Sequence, residues 1–275
     1  MIYAFANQKG GVGKTTTIVN LAAYIATRGR RVLLVDLDPQ ANATSSLGIE
    51  KKSIGVSVYE TLLRETTLAE IFHPTLIANL NLIPSAPELA GVEVELANAE
   101  DRTHRLHEAL EPIADSFDFV LIDCPPALGL LTLNALSAAS RVVIPVQSEY
   151  LALEGLTQLL DTIRLVQYNL NPRLELFGLV MTMFDSRLHL SMQVVEQVAK
   201  HFPKEIFHTV IPRSVRIAEA PSYGEPLVTF DPASRGALAY DQLTDEFLER
   251  AKARDSESED RVTGEGKPER GEPAL

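Results

Sequence analysis

Short apolar segments alternate with longer amphipathic segments along most of the chain. The short segments are apolar throughout, as parallel strands are when helices cover both faces of a sheet. They lie at residues 2–6, 30–38, 80–85, 117–126, 141–147 and 176–184, with 205–212 as a further candidate. Helical patterns lie at residues 15–28, 57–72, 100–115, 130–139, 153–168, 190–202 and 235–253. This alternation predicts an α/β fold with a doubly wound, mainly parallel β-sheet flanked by helices on both faces.

The pattern stops near residue 254, where the sequence becomes charged and rich in Gly, Pro and Ser. Such a segment cannot bury enough apolar surface to order itself, so we expect residues 254–275 to form a disordered acidic and polar tail. The chain has 275 residues, of which 45% are hydrophobic, and this is enough for one large core. We therefore expect a single domain over residues 1–253.

Composition limits the cellular compartments and the kinds of site that this sequence fits. The one cysteine, Cys124, excludes a disulfide framework and any multi-cysteine metal site within one chain, and we expect it to be a small buried residue. No apolar run reaches the roughly 18 to 20 residues of a membrane span. The first residues, MIYAFANQ, lack the basic region of a signal peptide, so we expect a cytoplasmic protein. The net charge of −12 argues against binding nucleic acid or anionic lipid with the whole surface, but it leaves a local basic face open.

A glycine-rich loop, QKGGVGKTTT at residues 8–17, follows the first predicted strand and opens the first helix. It almost matches the phosphate-loop pattern G-x-x-x-x-G-K-[ST], except that Gln8 stands in place of the first glycine and Lys9 adds a second lysine. Successive backbone N–H groups in such a loop, together with the positive end of the helix, bind phosphate oxygens. The residues expected to contact a nucleotide are Lys9, Gly10, Gly11, Val12, Gly13, Lys14, Thr15 and Thr16.

The two lysines of this loop are expected to differ in role. Lys14 should pair with the β and γ phosphates of a nucleotide, and the neighbouring Thr15 hydroxyl should hold Mg²⁺. Lys9 precedes the glycines, so its stem should leave the phosphate cradle rather than line it. Its spacing suits either a solvated surface lysine or a cation that crosses to a second bound nucleotide.

Three aspartates fall at or just past the ends of predicted strands, where ligands bind in parallel sheets. Asp38 could orient or activate an attacking water. Asp36 either bonds loop amides or a magnesium-bound water, or it takes a direct part in the reaction. Asp123 stands in the Walker B position and suits Mg²⁺, with a contact through water because this ion usually keeps several waters. The alternative for Asp123 is an aspartate that only ends its strand.

Five motifs, in order along the chain, resemble those of one known family. KGGVGKTT is similar to the deviant Walker A motif of the ParA/MinD class of P-loop ATPases. With VDLDPQANAT, LIDCPP, PVQSEYLALEG and VIPRSVRIAEAPSYG, the chain looks like the chromosomal ParA branch, often called Soj, from residue 2 to about residue 250. Two positions depart from the family pattern, because Cys124 stands where alanine is more usual and Ser214 where asparagine is more common.

The resemblance implies an ATPase with ATP and Mg²⁺ as cofactors. In this family the lysine that matches Lys9 reaches across an ATP sandwich dimer to the partner's nucleotide, which favours the crossing role. The aspartate that matches Asp38 is needed for hydrolysis, so Lys9, Lys14 and Asp38 are the expected catalytic residues. Pro212 and Ser214 match a loop that packs on adenine in relatives, and a turn without ligand contact is the alternative.

A local basic region between residues 186 and 216 contrasts with the acidic chain. It holds five lysines and arginines and only two acidic residues, Glu196 and Glu205. ParA relatives bind DNA nonspecifically as ATP dimers through this region, and lysine or arginine contacts to phosphate need no particular base sequence. Ordinary solvated helix charges are the alternative. The expected DNA-binding residues are Arg187 and Arg216 first, and then Lys200, Lys204 and Arg213.

The function that the resemblance implies is partitioning of a chromosome or related replicon by a weak ATPase associated with the nucleoid. The implied partners are a second copy of the chain in an ATP-dependent homodimer, double-stranded DNA, and a ParB/Spo0J-type centromere-binding protein that stimulates hydrolysis. No membrane partner is expected.

Other protein classes fit the sequence less well. A MinD-like membrane ATPase needs a basic amphipathic C-terminal helix, whereas this chain ends in an acidic, hydrophilic segment. An electron carrier of the nitrogenase-reductase type needs two cysteines per chain to hold its cluster. A metabolic P-loop synthetase would not require Lys9, and a nonenzymatic nucleotide switch would differ in having no turnover.

Overall fold

Seven strands form one sheet in the computed structural model, which describes residues 1–149 and 152–264. The strands are β1 (Ile2–Phe5), β2 (Val32–Asp36), β3 (His73–Pro74), β4 (Leu80–Ile83), β5 (Phe119–Asp123), β6 (Arg141–Gln147) and β7 (Glu175–Thr182). Their order across the sheet is β3-β4-β2-β5-β1-β6-β7. Neighbouring strands are parallel except for β3 and β4, which are antiparallel. The predicted mainly parallel sheet is confirmed.

Helices cover both faces of this sheet. They are α1 (Lys14–Thr27), α2 (Asn42–Ser46), α3 (Val58–Leu62), α4 (Val92–Glu95), α5 (Arg105–Leu110), α6 (Leu130–Ala138), α7 (Ala152–Asn169), α8 (His189–His201), α9 (Val215–Glu219), α10 (Leu227–Phe230) and α11 (Arg235–Gly264). No helix among the described residues is long and apolar enough to cross a membrane.

The core consists of two apolar clusters, one on each face of the sheet. Leu33 and Val35 of β2 face the cluster that α5, α6, α7 and α8 cover, whereas Leu34 faces the cluster that α1 and α11 cover. Successive side chains of a strand point to opposite faces, and here both faces are buried. This explains why the strands are apolar throughout.

Three predicted elements are shorter or weaker than their patterns suggested. The helical pattern at 100–115 forms only α5 and a 3₁₀ turn at Ala114–Ser116. The helical pattern at 57–72 forms only α3 and a later 3₁₀ turn. Ser57 and Glu60 form a capping box that starts α3. The helix is short because Arg64, just after its end, has a left-handed φ of 65°. The candidate strand at 205–212 makes only isolated bridges at Ile206 and Pro212. Between these bridges the N–H groups of His208 and Thr209 donate to the Glu246 carboxylate of α11, at 2.8 and 2.9 Å, instead of to β7.

The last helix extends past the predicted domain boundary. It continues to Gly264, so the expected start of the tail at residue 254 lies inside a helix. Asp255 on this extension pairs with the guanidinium of Arg141, whose side chain is only 4% exposed, at 2.8 Å. A long-range ion pair therefore holds a segment that has little apolar surface of its own. Residues 265–275 of the predicted tail lie outside the described residues.

Candidate functional site

The glycine loop lies between the end of β1 and the start of α1. Gly11 and Gly13 have φ values of 74° and 80°, in the left-handed region that a residue with a side chain adopts only with strain. Lys14 is the first residue of α1, so the loop lies at the positive end of a 14-residue helix. This geometry is that of a phosphate-binding loop.

Side chains from outside the loop fix its shape. The Asn7 amide donates to the carbonyl of Pro145 in β6 at 2.7 Å, and its Oδ1 accepts from the Lys9 N–H at 2.9 Å. On the other side, the Thr182 hydroxyl at the end of β7 donates to the Val12 carbonyl at 2.7 Å. The loop is therefore anchored to both strands that lie beyond β1 in the sheet.

A cavity of about 350 Å³ opens above this loop. All eight residues predicted to contact a nucleotide, Lys9 to Thr16, line it, and so does Asp38. The rest of the lining was not predicted from the sequence and consists of Gln40, Asn42, Ser45, Ser46, Pro126 and Pro221. Gln40, Asn42, Pro126 and Pro221 stand within the motifs that carry the family resemblance, so position in a motif was the available signal.

Lys14 lies inside the site against a buried carboxylate. It is 7% exposed, and its Nζ is 3.4 Å from Oδ1 of Asp123 at the end of β5. Asp123 is fully buried beside Asp36, its register partner on β2. Burial raises the pKa of the Asp123 carboxyl although the Lys14 ammonium acts against this shift. Burial and the neighbouring Asp123 raise the pKa of Asp36 to about 7.

The surroundings of Asp123 suit a magnesium ion held through water. Within the part of the chain that the structure describes, its buried Oδ2 atom has no hydrogen-bond partner, and such an oxygen can accept from a metal-bound water. Thr15 lines the adjoining cavity. Among the described residues, no cluster of three or more His, Cys, Asp or Glu side chains could hold a metal. In proteins Mg²⁺ is usually bound by one or two carboxylates together with substrate phosphates and water.

Asp36 and Asp38 have separate surroundings. Both oxygens of Asp36 are used within the protein, since Oδ1 accepts from the Asp38 N–H at 3.2 Å and Oδ2 accepts from the N–H and hydroxyl of Thr44 at 2.8 and 2.7 Å. The structure therefore favours a loop-shaping role for Asp36. Asp38 lies at the cavity wall, where Oδ1 accepts from the Gln40 N–H and the backbone carbonyl accepts from the Ser85 hydroxyl. A fixed carboxylate at this wall can hold a water molecule.

Lys9 lies at the rim of the cavity. Its side chain is 38% exposed, and its Nζ is 3.4 Å from Oε2 of Glu149, which follows β6. The other oxygen of Glu149 is 3.6 Å from Arg213. Sequence patterns did not predict this contact because Glu149 is 140 residues away from Lys9, although it stands within the motif PVQSEYLALEG.

A second cavity, of about 400 Å³, adjoins the end of β7. Pro212 and Ser214, the predicted adenine-loop residues, line it together with Arg187 and Arg213. It is close to the phosphate loop, because a Cβ at Gly13 would lie 3.8 to 3.9 Å from the side chains of Thr182 and Met183 in β7 and just past it. Two residues predicted to contact adenine and two predicted to bind DNA therefore lie around the same cavity.

The five predicted DNA-binding residues do not form one patch. Arg187, Arg213 and Arg216 lie near the carboxyl edge of the sheet, where Arg187 pairs with Asp185 and Arg216 with Glu219 and Asp231. Lys200 and Lys204 are exposed at the other end of α8. A 13-residue helix is about 20 Å long, and this length separates the two groups.

Comparison with known proteins places this site in a family. A family profile described as "AAA domain" matches residues 1–176. Over 249 residues the chain is 51% identical to "Chromosome partitioning protein ParA" of Myxococcus xanthus, covering 90% of this chain and 88% of that protein. Over 245 residues it is 54% identical to "Sporulation initiation inhibitor protein Soj" of Bacillus subtilis, covering 89% and 97%. The chain belongs to the ParA/Soj family of P-loop ATPases.

Solved structures agree with this ParA/Soj assignment at the level of the fold. Cobyrinic acid a,c-diamide synthase of Mycobacterium smegmatis, solved with bound ADP and magnesium, has a TM-score of 0.81 and 40% identity, and the match covers 91% of this chain and 95% of that one. The cell division ATPase MinD of Pyrococcus furiosus has a TM-score of 0.75 and 27% identity, with 90% and 98% covered. The ParA/Soj chain thus has the predicted P-loop fold.

Proposed function

We propose that this chain is an ATP-dependent partitioning ATPase of the cytoplasm that works on the nucleoid. It binds ATP with Mg²⁺, closes into a homodimer in which Lys9 reaches the partner's nucleotide, and holds double-stranded DNA nonspecifically. A ParB/Spo0J-type partner stimulates hydrolysis, after which the dimer opens and leaves the DNA. The names of the ParA and Soj relatives support the partitioning role.

The observation that carries the proposal is the difference between the two loop lysines. Lys14 is buried and already provides a cation inside the cradle, whereas Lys9 stands at the rim with an exposed ammonium. The cavity therefore does not need Lys9 for its own nucleotide. A second cation that arrives from a partner chain offsets the negative charge that spreads over the transferring phosphoryl group.

Hydrolysis within one site depends on the positions of Asp38, Thr15 and Asp123. Asp38 at the cavity wall orients the attacking water, and its fixed backbone keeps that water in one place. Thr15 and a water on Asp123 would hold Mg²⁺, and the ion would supply positive charge that offsets the charge of the phosphate oxygens.

DNA binding follows from the arginines near the nucleotide. Arg187, Arg213 and Arg216 lie on the same edge of the sheet as Lys9, so a dimer formed through this edge brings two sets of them together. Glu149 and Glu219, which pair with Arg213 and Arg216, are partly exposed carboxylates, and exposed ion pairs of this kind contribute only about 0 to 1 kcal/mol. Phosphate groups can therefore replace these partners, and the resulting affinity falls steeply with salt. Arg187 is held more firmly, because its guanidinium donates to both oxygens of Asp185, at 2.9 and 2.6 Å.

The experiment is duplex DNA binding by the purified chain with Mg²⁺ and ATP, ADP or no nucleotide, at two salt concentrations. We expect binding only with ATP, and weaker binding at the higher salt. Asp38→Ala should keep ATP and stay on DNA, because the dimer closes but does not hydrolyse. Arg187→Ala should weaken binding to all sequences alike and reduce the salt dependence, whereas Lys200→Ala at the far end of α8 should change little.

The same experiment separates partitioning from a metabolic role. The M. smegmatis neighbour carries the name of a synthase, but its identity of 40% is lower than the 51% and 54% of the relatives with partition and Soj names. Absence of DNA binding in every nucleotide state, or a monomeric and DNA-free Asp38→Ala chain at saturating ATP, would contradict the partitioning proposal and favour a small-molecule substrate.

A further inference from the structure

Glu149 joins two cations from distant parts of the chain. Its Oε2 is 3.4 Å from the Lys9 ammonium, and its Oε1 is 3.6 Å from the Arg213 guanidinium. Lys9 begins the phosphate loop, whereas Arg213 belongs to the loop that borders the second cavity. One carboxylate therefore connects the rims of both cavities.

Glu149 is held in place by contacts that lead back to the phosphate loop. The Gln147 amide donates to Oε1 of Glu149 at 2.7 Å. Ser148, the next residue, donates its N–H and hydroxyl to the Thr182 carbonyl at 3.0 and 3.1 Å. Thr182 in turn donates to the Val12 carbonyl. The carboxylate thus has a fixed position relative to Lys9.

We infer that Glu149 is a positioning residue that tethers Lys9 within its own chain until a partner's nucleotide replaces the carboxylate. This inference rests on the proposed function, in which Lys9 crosses to a second nucleotide. In the single chain, Glu149 supplies the negative charge that the partner's phosphates supply in the dimer. Closure of the dimer then requires Lys9 to leave Glu149, and a nucleotide with full phosphate charge is the stronger competitor.

The exposure of the pair makes this tether weak enough to release. The side chains of Lys9 and Glu149 are 38% and 48% exposed, and exposed ion pairs are individually small. Two tethers break for each dimer formed. Removal of both should tighten ATP-dependent dimerisation by about two- to thirty-fold, if each contributes as exposed pairs usually do.

Glu149→Gln tests the inference, because it removes the charge and keeps the shape. Self-association would be measured by analytical ultracentrifugation with Mg²⁺ and a nonhydrolysable ATP analogue, so that turnover does not change the result. We expect Glu149→Gln and Glu149→Ala to dimerise at lower protein concentration than the parent chain. Glu149→Asp keeps the charge and should lie between them and the parent chain.

Glu175→Gln is the matched control. Glu175 is 49% exposed and pairs with Arg254 at 3.7 Å, so it resembles Glu149 in exposure but is remote from Lys9. It should leave dimerisation unchanged. Equal or weaker dimerisation of both Glu149→Gln and Glu149→Ala, beside a parent chain that dimerises, would overturn the tether and leave the proposed function intact. A parent chain that binds the analogue but stays monomeric would instead refute the proposed dimer.

Discussion

Two lysines five residues apart in one loop have different surroundings, and their surroundings decide their chemistry. Lys14 starts α1 and points at the buried carboxylate of Asp123, so its ammonium is almost fully removed from solvent. Lys9 stands before the glycines, and its ammonium pairs with the partly exposed Glu149. A buried cation with a fixed partner serves the bound phosphates, whereas an exposed cation with a weak partner can change partners.

Lys14→Ala should weaken nucleotide binding by about ten- to a hundred-fold, since a hydrogen bond between charged groups contributes about 1.5 to 3 kcal/mol. The measurement is titration with a fluorescent ATP analogue. Lys9→Ala is the control and should bind the analogue as the parent chain does, because its ammonium lies at the rim. Loss of binding in both variants would contradict the separate roles of the two lysines.

At the scale of elements, the cavity depends on the contact between α2 and the turn that ends at Gly224. Gly224 has a φ of 67°, and a Cβ there would lie 2.8 Å from the Cα of Gly48 just after α2. The helix supplies Asn42, Ser45 and Ser46 to the cavity wall. The close approach of the two backbones therefore determines where one side of the nucleotide site lies.

Gly224→Ala should lower the free energy of unfolding by about 1 to 3 kcal/mol, because it adds both backbone strain and a steric clash. It should also weaken ATP binding, since α2 must move. Gly55→Ala is the matched control, because a Cβ at Gly55 meets no atom within 4 Å and its φ is outside the left-handed region. Urea unfolding and ATP titration of both variants check this, and equal results for the two would contradict it.

The extension of α11 is the second element-scale feature with a measurable consequence. A chain that ends at residue 253 loses Asp255, so the buried guanidinium of Arg141 loses its 2.8 Å bond to that carboxylate and keeps the 2.9 Å bond to the Tyr3 hydroxyl. Removal of one hydrogen-bond partner from a buried polar group costs about 1 to 3 kcal/mol. We expect that loss in urea unfolding for the chain ending at 253, and no loss for a chain ending at 264. Equal stability of the two would show that Asp255 does not support Arg141.

At the scale of the whole molecule, the candidate functional groups gather at one edge of the sheet. The phosphate loop follows β1, Asp38 lies just past β2, Asp123 ends β5, and Glu149 follows β6. Parallel strands end at the same edge, so elements far apart in sequence deliver their side chains to one surface. A dimer closed through this edge would enclose both nucleotides and bring the arginines of two chains together.

Gly10→Val should separate nucleotide binding from dimerisation. A Cβ at Gly10 meets no atom within 4 Å and its φ is not in the left-handed region, so the single chain should accept the side chain and bind ATP normally. In the proposed dimer the added bulk would face the approaching partner, so we expect Gly10→Val to abolish ATP-dependent self-association. Size-exclusion chromatography with ATP and Mg²⁺ checks this, and a variant that dimerises like the parent chain would place the interface elsewhere.

Local physical rules were enough to predict much of this molecule from its sequence. Apolar segments such as residues 32–36 indicate strands covered on both faces, because a strand has no alternation when both of its faces are buried. The glycines before Lys14 indicate a phosphate loop, since the left-handed backbone and the helix N-terminus arise within one short segment. The positions of Asp38 and Asp123 at strand ends follow from the same reasoning.

Only the tertiary structure decided the features that depend on distant partners. One is the pairing of Lys9 with Glu149, and another is the contact of Arg141 with the helix beyond residue 253. A third is the separation of Lys200 from Arg187 by the length of α8. All three depend on how α8, α11 and the sheet pack together. The segment 205–212, which was predicted as a strand and makes only isolated bridges, is a further feature of this kind. Its pairing depends on neighbouring segments and not on its own β-propensity. Local backbone geometry depends on a few adjacent residues, whereas an ion pair depends on the tertiary fold that brings its two side chains together.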